Sequence, residues 1–187
     1  SAVVASDSNC YVVVFRSVGR QEYATKDVRH ILFKVDESAL DSEADTYEAD
    51  LQAAKDAAKT AAEDALAQWK AGEATEDSFA ALANELSTDA GSNTNGGLYT
   101  KIYKNQMVTE FNDWCFDASR QSGDTGIVYG ESSNYKGYHV MYFVGDDVPY
   151  WQVQAENALR NTNTEAWLDG LLDSADVVQE NGMKHVG

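Results

Sequence analysis

The chain has 187 residues, of which 43% are hydrophobic, and a formal charge of −17 from 14 Lys and Arg against 31 Asp and Glu. That length suffices for one core-forming domain with appendages. The charge argues against nucleic acid, which rewards clustered cations, and against direct adhesion to an anionic bilayer. Mean hydropathy is −0.46, and no apolar run approaches the roughly 20 residues of a membrane span. Such acidity keeps a protein soluble through self-repulsion; a negative surface that favours basic unfolded chains is the functional alternative. The chain starts at Ser1-Ala2 without methionine and reads as a processed or excised fragment, so any membrane association is expected to come through parts outside it. Cys10 and Cys115 have neither the spacing nor the neighbours of a metal site, and no metal or cofactor is expected.

In chain order, residues 10 to 15 (Cys-Tyr-Val-Val-Val-Phe) are β-branched and aromatic and predict a strand. A polar stretch around Gly19 precedes a second strand, Val28 to Val35, which carries His30. Asp41 to Ala71 predicts a long helix capped by Asp41 or Ser42 and ended by Gly72. Tyr47, Leu51, Ala54, Ala58, Ala62, Ala65 and Trp69 recur every three or four residues, giving an alanine-rich ridge suited to close packing. A second helix is predicted over Asp77 to Leu86, a loop over Thr88 to Asn95, and another loop over Tyr99 to Tyr103. A third helix, Thr109 to Ser119, presents Phe111, Trp114, Cys115 and Ala118, which makes Cys115 a buried thiol; its pairing with Cys10 stays open. Strands follow at Gly126 to Gly130 and Gly137 to Phe143, the latter carrying His139. Pro149 marks a domain edge; beyond it Val153, Ala158, Leu159, Ala166, Trp167, Leu171 and Leu172 predict a further helix, and the tail from Val177 has weak strand character.

The chemistry-bearing residues come in a fixed order. His30 is followed by Phe79-Ala80-Ala81-Leu82-Ala83, Ser87 and Asp89, then Asn95-Gly96-Gly97-Leu98, Met107 and Phe111, and finally Gly137-Tyr138-His139. Taken singly, each fits an ordinary role: a satisfied strand histidine, a turn aspartate, core Leu, Met and Phe. Their joint order, across residues 28 to 143, resembles the parvulin-type (PpiC-type) peptidyl-prolyl cis/trans isomerase, or rotamase, domain.

The resemblance implies an α+β fold: a four-stranded antiparallel sheet flanked by helices, here with a long inserted helix and a C-terminal helix. It divides the chain into an N-terminal flanking segment with a strand (1–25), the isomerase domain (26–147, with a helical insert at 36–75) and a C-terminal helical extension and tail (148–187). It implies His30, His139 and Asp89 as the catalytic polar group, the histidines side by side through chosen tautomers. It implies Leu98, Met107 and Phe111 as the proline pocket. The implied activity is rotation about Xaa-Pro bonds of unfolded or exported proteins, without cofactor or covalent intermediate; the alternative is a catalytically weak chaperone module on the same fold. The flanking helices and the acidic, Ala-rich insert are similar to those of secreted or membrane-anchored foldases of Gram-positive bacteria, which implies an extracytoplasmic site of action. Phosphate-directed members carry basic residues after the first histidine strand; here Asp36, Glu37, Asp41, Glu43 and Asp45 stand there, and a phosphate would be repelled.

Overall fold

A computed structural model describes residues 2–5, 10–14, 19–133 and 135–175; the predicted tail from Val177 lies outside them. Two short strands, β1 (Ala2–Ala5) and β2 (Cys10–Val13), form an antiparallel hairpin. Then follow β3 (Ala24–Lys34), α1 (Tyr47–Ala71), α2 (Glu76–Leu86), β4 (Leu98–Ile102), α3 (Thr109–Cys115), β5 (Thr125–Glu131), β6 (Lys136–Pro149) and α4 (Tyr150–Ser174). The main sheet has the order β4-β3-β6-β5, all antiparallel, and is the four-stranded α+β sheet that the sequence implies.

Strand alternation assigns each face to different helices. Ile31 of β3 and Val140 and Tyr142 of β6 pack with Ala62, Ala65 and Trp69 of α1 and Phe79, Leu82 and Ala83 of α2. The alanine ridge thus lets α1 approach the sheet closely. Trp69 is locked twice, by edge-on contact with Phe79 and Tyr142 and by its indole N–H donating to Thr75 O at 2.9 Å. The opposite face buries Val28, Met141 and Phe143 against Ile102, Phe111 and Cys115. His30, two residues from Val28, and His139, two from Met141, belong to this second face.

Local signals set most boundaries. Thr75 accepts from the backbone N–H of Ser78, whose hydroxyl in turn accepts from Thr75 N, so a capping box starts α2 one residue before the predicted start. Helix α1 starts at Tyr47 rather than near Asp41, because Asp41 closes a turn of its own, accepting from Glu43 N at 3.0 Å. Helix α3 stops at Cys115, short of the predicted Ser119, where Asp117 Oδ1 accepts from the backbone and hydroxyl of Ser119 and turns the chain. Residues 99–102 of the predicted loop Tyr99 to Tyr103 belong instead to edge strand β4. Its pairing on β3 includes a register shift between Lys26 and Val28, where Asp27 Oδ1 takes the Lys101 N–H at 2.8 Å.

Pro149 ends β6 and opens α4. The first turns of α4 are anchored: Tyr150 stacks on Tyr23 and Tyr103, and Lys101 pairs with Glu156. None of its residues is buried, so the expected apolar ridge is an exposed face, with Leu159, Trp167 and Leu172 each about two-thirds exposed. Among the described residues no helix is long and apolar enough to cross a membrane.

Candidate active site

Register creates the histidine pair. In the β3–β6 ladder Leu32 lies opposite His139 and His30 opposite Met141, so the two histidines are diagonal neighbours on one face. Their Nδ1 atoms stand 3.0 Å apart and both side chains are buried. Phe111 of α3 packs edge-on against both rings, with centroids 5.6 Å from His30 and 5.4 Å from His139.

Asp89 reaches His30 from the loop after α2. Its Oδ2 lies 2.9 Å from His30 Nε2 and also accepts from the Ser92 hydroxyl at 2.6 Å and the Tyr99 phenol at 3.0 Å. Oδ1 accepts from Gly91 N at 3.2 Å. Hydrogen bonds to the charged form, from His30 first, hold this carboxyl well below the usual carboxylate range against the opposing effect of burial. The loop position suggests solvent access, yet the side chain is only 20% exposed. The loop itself is tied to β3 by Thr88 N donating to Leu32 O and by Ser87 Oγ accepting from Leu32 N.

The contact with Asp89 fixes one proton of the pair. Ionised Asp89 only accepts, so His30 carries a proton on Nε2. The two facing Nδ1 atoms share one proton between them. Burial and the neighbouring His30 push the His139 pKa down to about 3, so its ring is neutral. Its Nε2 hydrogen-bonds the Tyr135 hydroxyl, 3.1 Å away. A continuous hydrogen-bond chain results, linking Tyr135, His139, His30 and Asp89, with Ser92 and Tyr99 donating to the same carboxylate oxygen.

Glycines make room for this arrangement at two places. Gly97, at φ 69°, sits so close to β3 that a Cβ would collide with the His30 carbonyl oxygen, and its own carbonyl accepts from His30 N at 2.9 Å. A Cβ on Gly130 would stand 2.9 Å from Val108 and 3.0 Å from His139 Nε2, closing the space where Tyr135 meets the ring.

A cavity of about 300 Å³ opens over the chain. Met107, Val108, Phe111 and Leu32 supply apolar walls; His30, His139, Asp89, Tyr99 and Tyr135 supply the polar side; Lys34 and Gln106 also line it. Of the residues singled out from sequence, His30, His139, Asp89, Met107 and Phe111 converge here. Leu98 does not line the cavity: strand alternation on β4 puts its neighbour Tyr99 there instead. Ser92, Tyr99 and Tyr135 escaped the sequence reading. Tyr135 carried a usable signal, since it precedes His139 by four residues and an even spacing in extended chain keeps both on one face.

Nothing here is poised as a nucleophile. The Ser92 hydroxyl is fully buried and committed to Asp89. Cys115 is a free, buried thiol whose pKa burial pushes up to about 12.

The model of the rotamase family, the PPIC-type PPIase domain, matches residues 30–145. Among solved structures, the chain is similar to the peptidylprolyl isomerase PrsA from Bacillus cereus, at 23% identity, covering 86% of this chain and 54% of that one, with a TM-score of 0.44. It is also similar to a structure from work on PEB4 and the periplasmic protein Cj1289, two SurA-like chaperones of Campylobacter jejuni, at 22% identity, 84% and 56% coverage and a TM-score of 0.43. The chain therefore spans just over half the length of each of these two. No curated protein matches it.

Proposed function

The chain belongs to the PPIC-type peptidyl-prolyl isomerase (rotamase) family, and from that premise we propose that it catalyses cis/trans isomerisation of Xaa-Pro bonds in unfolded polypeptides. The observation that carries the reading is the closed hydrogen-bond chain from Tyr135 to Asp89 set against an apolar cavity.

Rotation about a peptide bond faces a barrier of roughly 18–20 kcal/mol because the planar amide is resonance-stabilised. For Xaa-Pro the two planar states differ by only about 0.5–1 kcal/mol, so a catalyst needs only to favour the twisted form. The cavity is at the lower end of the ~300–1,000 Å³ typical of small-ligand sites, suited to a proline ring rather than a larger group. Met107, Val108 and Phe111 grip the ring and exclude water, which removes solvation from the more polar planar amide. The polar side is already hydrogen-bonded within itself, so it needs no reorganisation when the amide turns. With no available nucleophile, the mechanism is non-covalent, with Asp89 acting through the orientation of His30.

A second reading, a client-binding chaperone module of low turnover, draws support from the exposed apolar face of α4. The clients would be proline-containing unfolded chains. We place the protein's work outside the cytoplasmic membrane, as the likeness of its acidic, Ala-rich insert and flanking helices to those of extracytoplasmic foldases implies; fractionation of the producing cells tests this. Residues 26–147 are proposed as the catalytic domain, with 1–25 and 148–187 as flanking parts.

Magnetisation-exchange NMR on a short unphosphorylated Xaa-Pro peptide separates the two readings. Exchange well above the buffer control at catalytic protein concentration supports the isomerase; exchange equal to the control, with the peptide bound, leaves the binding module.

A further inference from the structure

We propose that Asn95 is a site of spontaneous deamidation, and that the Asn84 side chain holds the reaction in check in the folded protein. The inference stands apart from the isomerase reading.

Asn-Gly occurs twice in the chain, at Asn95-Gly96 and at Asn181-Gly182, the latter outside the described residues. In such a pair the asparagine side chain is open to attack by the next backbone nitrogen, because glycine has no Cβ to hinder the approach. The Gly96 nitrogen gives its proton to solvent base and attacks Asn95 Cγ. A new N–C bond forms, the Cγ–Nδ2 bond breaks, ammonia leaves and a succinimide ring remains. Water then opens the ring at either carbonyl, giving aspartate or isoaspartate. Nothing is oxidised or reduced, and water is the co-reactant.

The fold needs both members of the labile pair. Gly96 has φ 74°, and a Cβ there would stand 2.6 Å from the Ala80 Cβ and from Arg29 Nη1. Asn95 closes the turn into β4: its Oδ1 accepts from Leu98 N and its Nδ2 donates to Leu98 O, each at 3.2 Å. The same loop supports the strand of His30. Gly97 O accepts from His30 N at 2.9 Å, and Arg29 Nη1 donates to Asn95 O and Gly96 O. Isoaspartate lengthens the main chain by one carbon between residues 95 and 96, which pulls these bonds out of register.

The restraint is the fate of the Gly96 N–H. It donates to Asn84 Oδ1 of α2 at 2.6 Å. A backbone N–H can only donate, so this contact also fixes which end of the Asn84 amide faces the loop. Base must remove that proton before the nitrogen can attack. A proton held in a short, part-buried bond is released only when the loop opens, as in amide hydrogen exchange. Asn84 is exposed on α2, where Ala is the better helix former, so the helix itself has no need of asparagine there.

The test incubates folded wild type, Asn84→Ala and Asn84→Asp in mildly alkaline buffer, with urea-unfolded wild type as the reference. Peptide mapping by mass spectrometry follows Asn95 and Asn181 separately, and hydrogen exchange is read at the Gly96 amide. Folded wild type is expected to deamidate at Asn95 at least about tenfold more slowly than the unfolded chain. Asn84→Ala should raise the folded rate about tenfold, the size of one lost hydrogen bond, and speed Gly96 exchange alike, with the Asn181 rate unchanged. Asn84→Asp still accepts from Gly96 N and should stay slow. Equal Asn95 rates in folded wild type and Asn84→Ala overturn the proposal. A wild-type Gly96 amide that exchanges as fast as in the unfolded chain overturns it whether or not the variants fold. Loss of the isomerase reading would leave each of these readouts in force.

Discussion

The Nδ1 atoms of His30 and His139 face each other at 3.0 Å although 109 residues separate them in the chain. One accepts what the other donates, so the two rings form a unit. Substituting either residue by Ala strands the partner's Nδ1 in a buried site, and each single change is expected to cost most of the turnover. The double substitution should add little. A thermodynamic cycle on stability and on kcat/KM is expected to show coupling above about 1 kcal/mol; simple addition of the two effects would show that the rings act separately.

Asp89→Ala removes the acceptor for His30, Ser92 and Tyr99 together. Its loop position suggests a mild effect on stability, but three donors left without a partner predict a loss of about 2–4 kcal/mol, alongside a large loss of turnover. Asp89→Asn should lose less stability, because one amide oxygen still accepts, and should still lower turnover. Urea denaturation of both variants checks the order.

Phe111 is 1% exposed and touches both imidazoles as well as the core. Phe111→Ala is expected to destabilise by about 3–5 kcal/mol and to weaken peptide binding. Met107 is only partly buried at the cavity wall, so Met107→Ala should raise KM with a smaller fall in melting temperature. Equal effects on binding and stability at both positions would mean that Met107 belongs to the core rather than to the pocket.

Acid should unfold the protein through this same site. His139 has a folded pKa depressed to about 3 from 6.5, so as pH falls through that window the unfolded chain takes up a proton that the folded chain refuses. Stability therefore drops between pH 6.5 and about 3, by an amount on the order of a few kcal/mol. Asp89 is depressed too; its contribution is present above the unfolded value of 3.8 and is lost as pH falls further. Neither group titrates between pH 7 and 8, where both stability and turnover should be flat with respect to them. Denaturation midpoints from pH 8 to 3, compared with His139→Phe, measure the share that belongs to His139.

Phosphorylation of the residue before proline is expected to leave turnover unimproved. Lys136 is paired with Glu37, Lys101 with Glu156, and Lys104 lies over the rings of Tyr23 and Phe116, so these cations are already engaged. Paired exchange assays on Ser-Pro and phosphoSer-Pro peptides check this; a clear gain for the phosphopeptide would identify Lys34, which lines the cavity, as its receptor.

The amino-acid sequence by itself determined which residues face which way. The apolar runs around His30 and His139 marked two strands; the three- and four-residue spacing in α1 marked the ridge from Leu51 to Trp69 that is buried in the fold; the order of Asp89, Met107 and Phe111 pointed to one site. Periodicity reports a face but not a register, and only register decides that Leu32 lies opposite His139 and so makes the two histidines diagonal neighbours. Strand β4 was hidden for a related reason: Tyr99 to Ile102 lacks a clean apolar alternation and becomes a strand by pairing on β3. The hydrogen-bond chain lies further from what local pattern can show. Ser92, Tyr99 and Tyr135 bond partners only 3, 10 and 4 residues away, but those partners form one site only because His30 comes within about 3 Å of Asp89, 59 residues on, and of His139, 109 residues on. Helix α4 shows the converse: its apolar spacing forms the expected helix, but only its first turns meet the sheet, so tertiary contact decided that its ridge stays exposed.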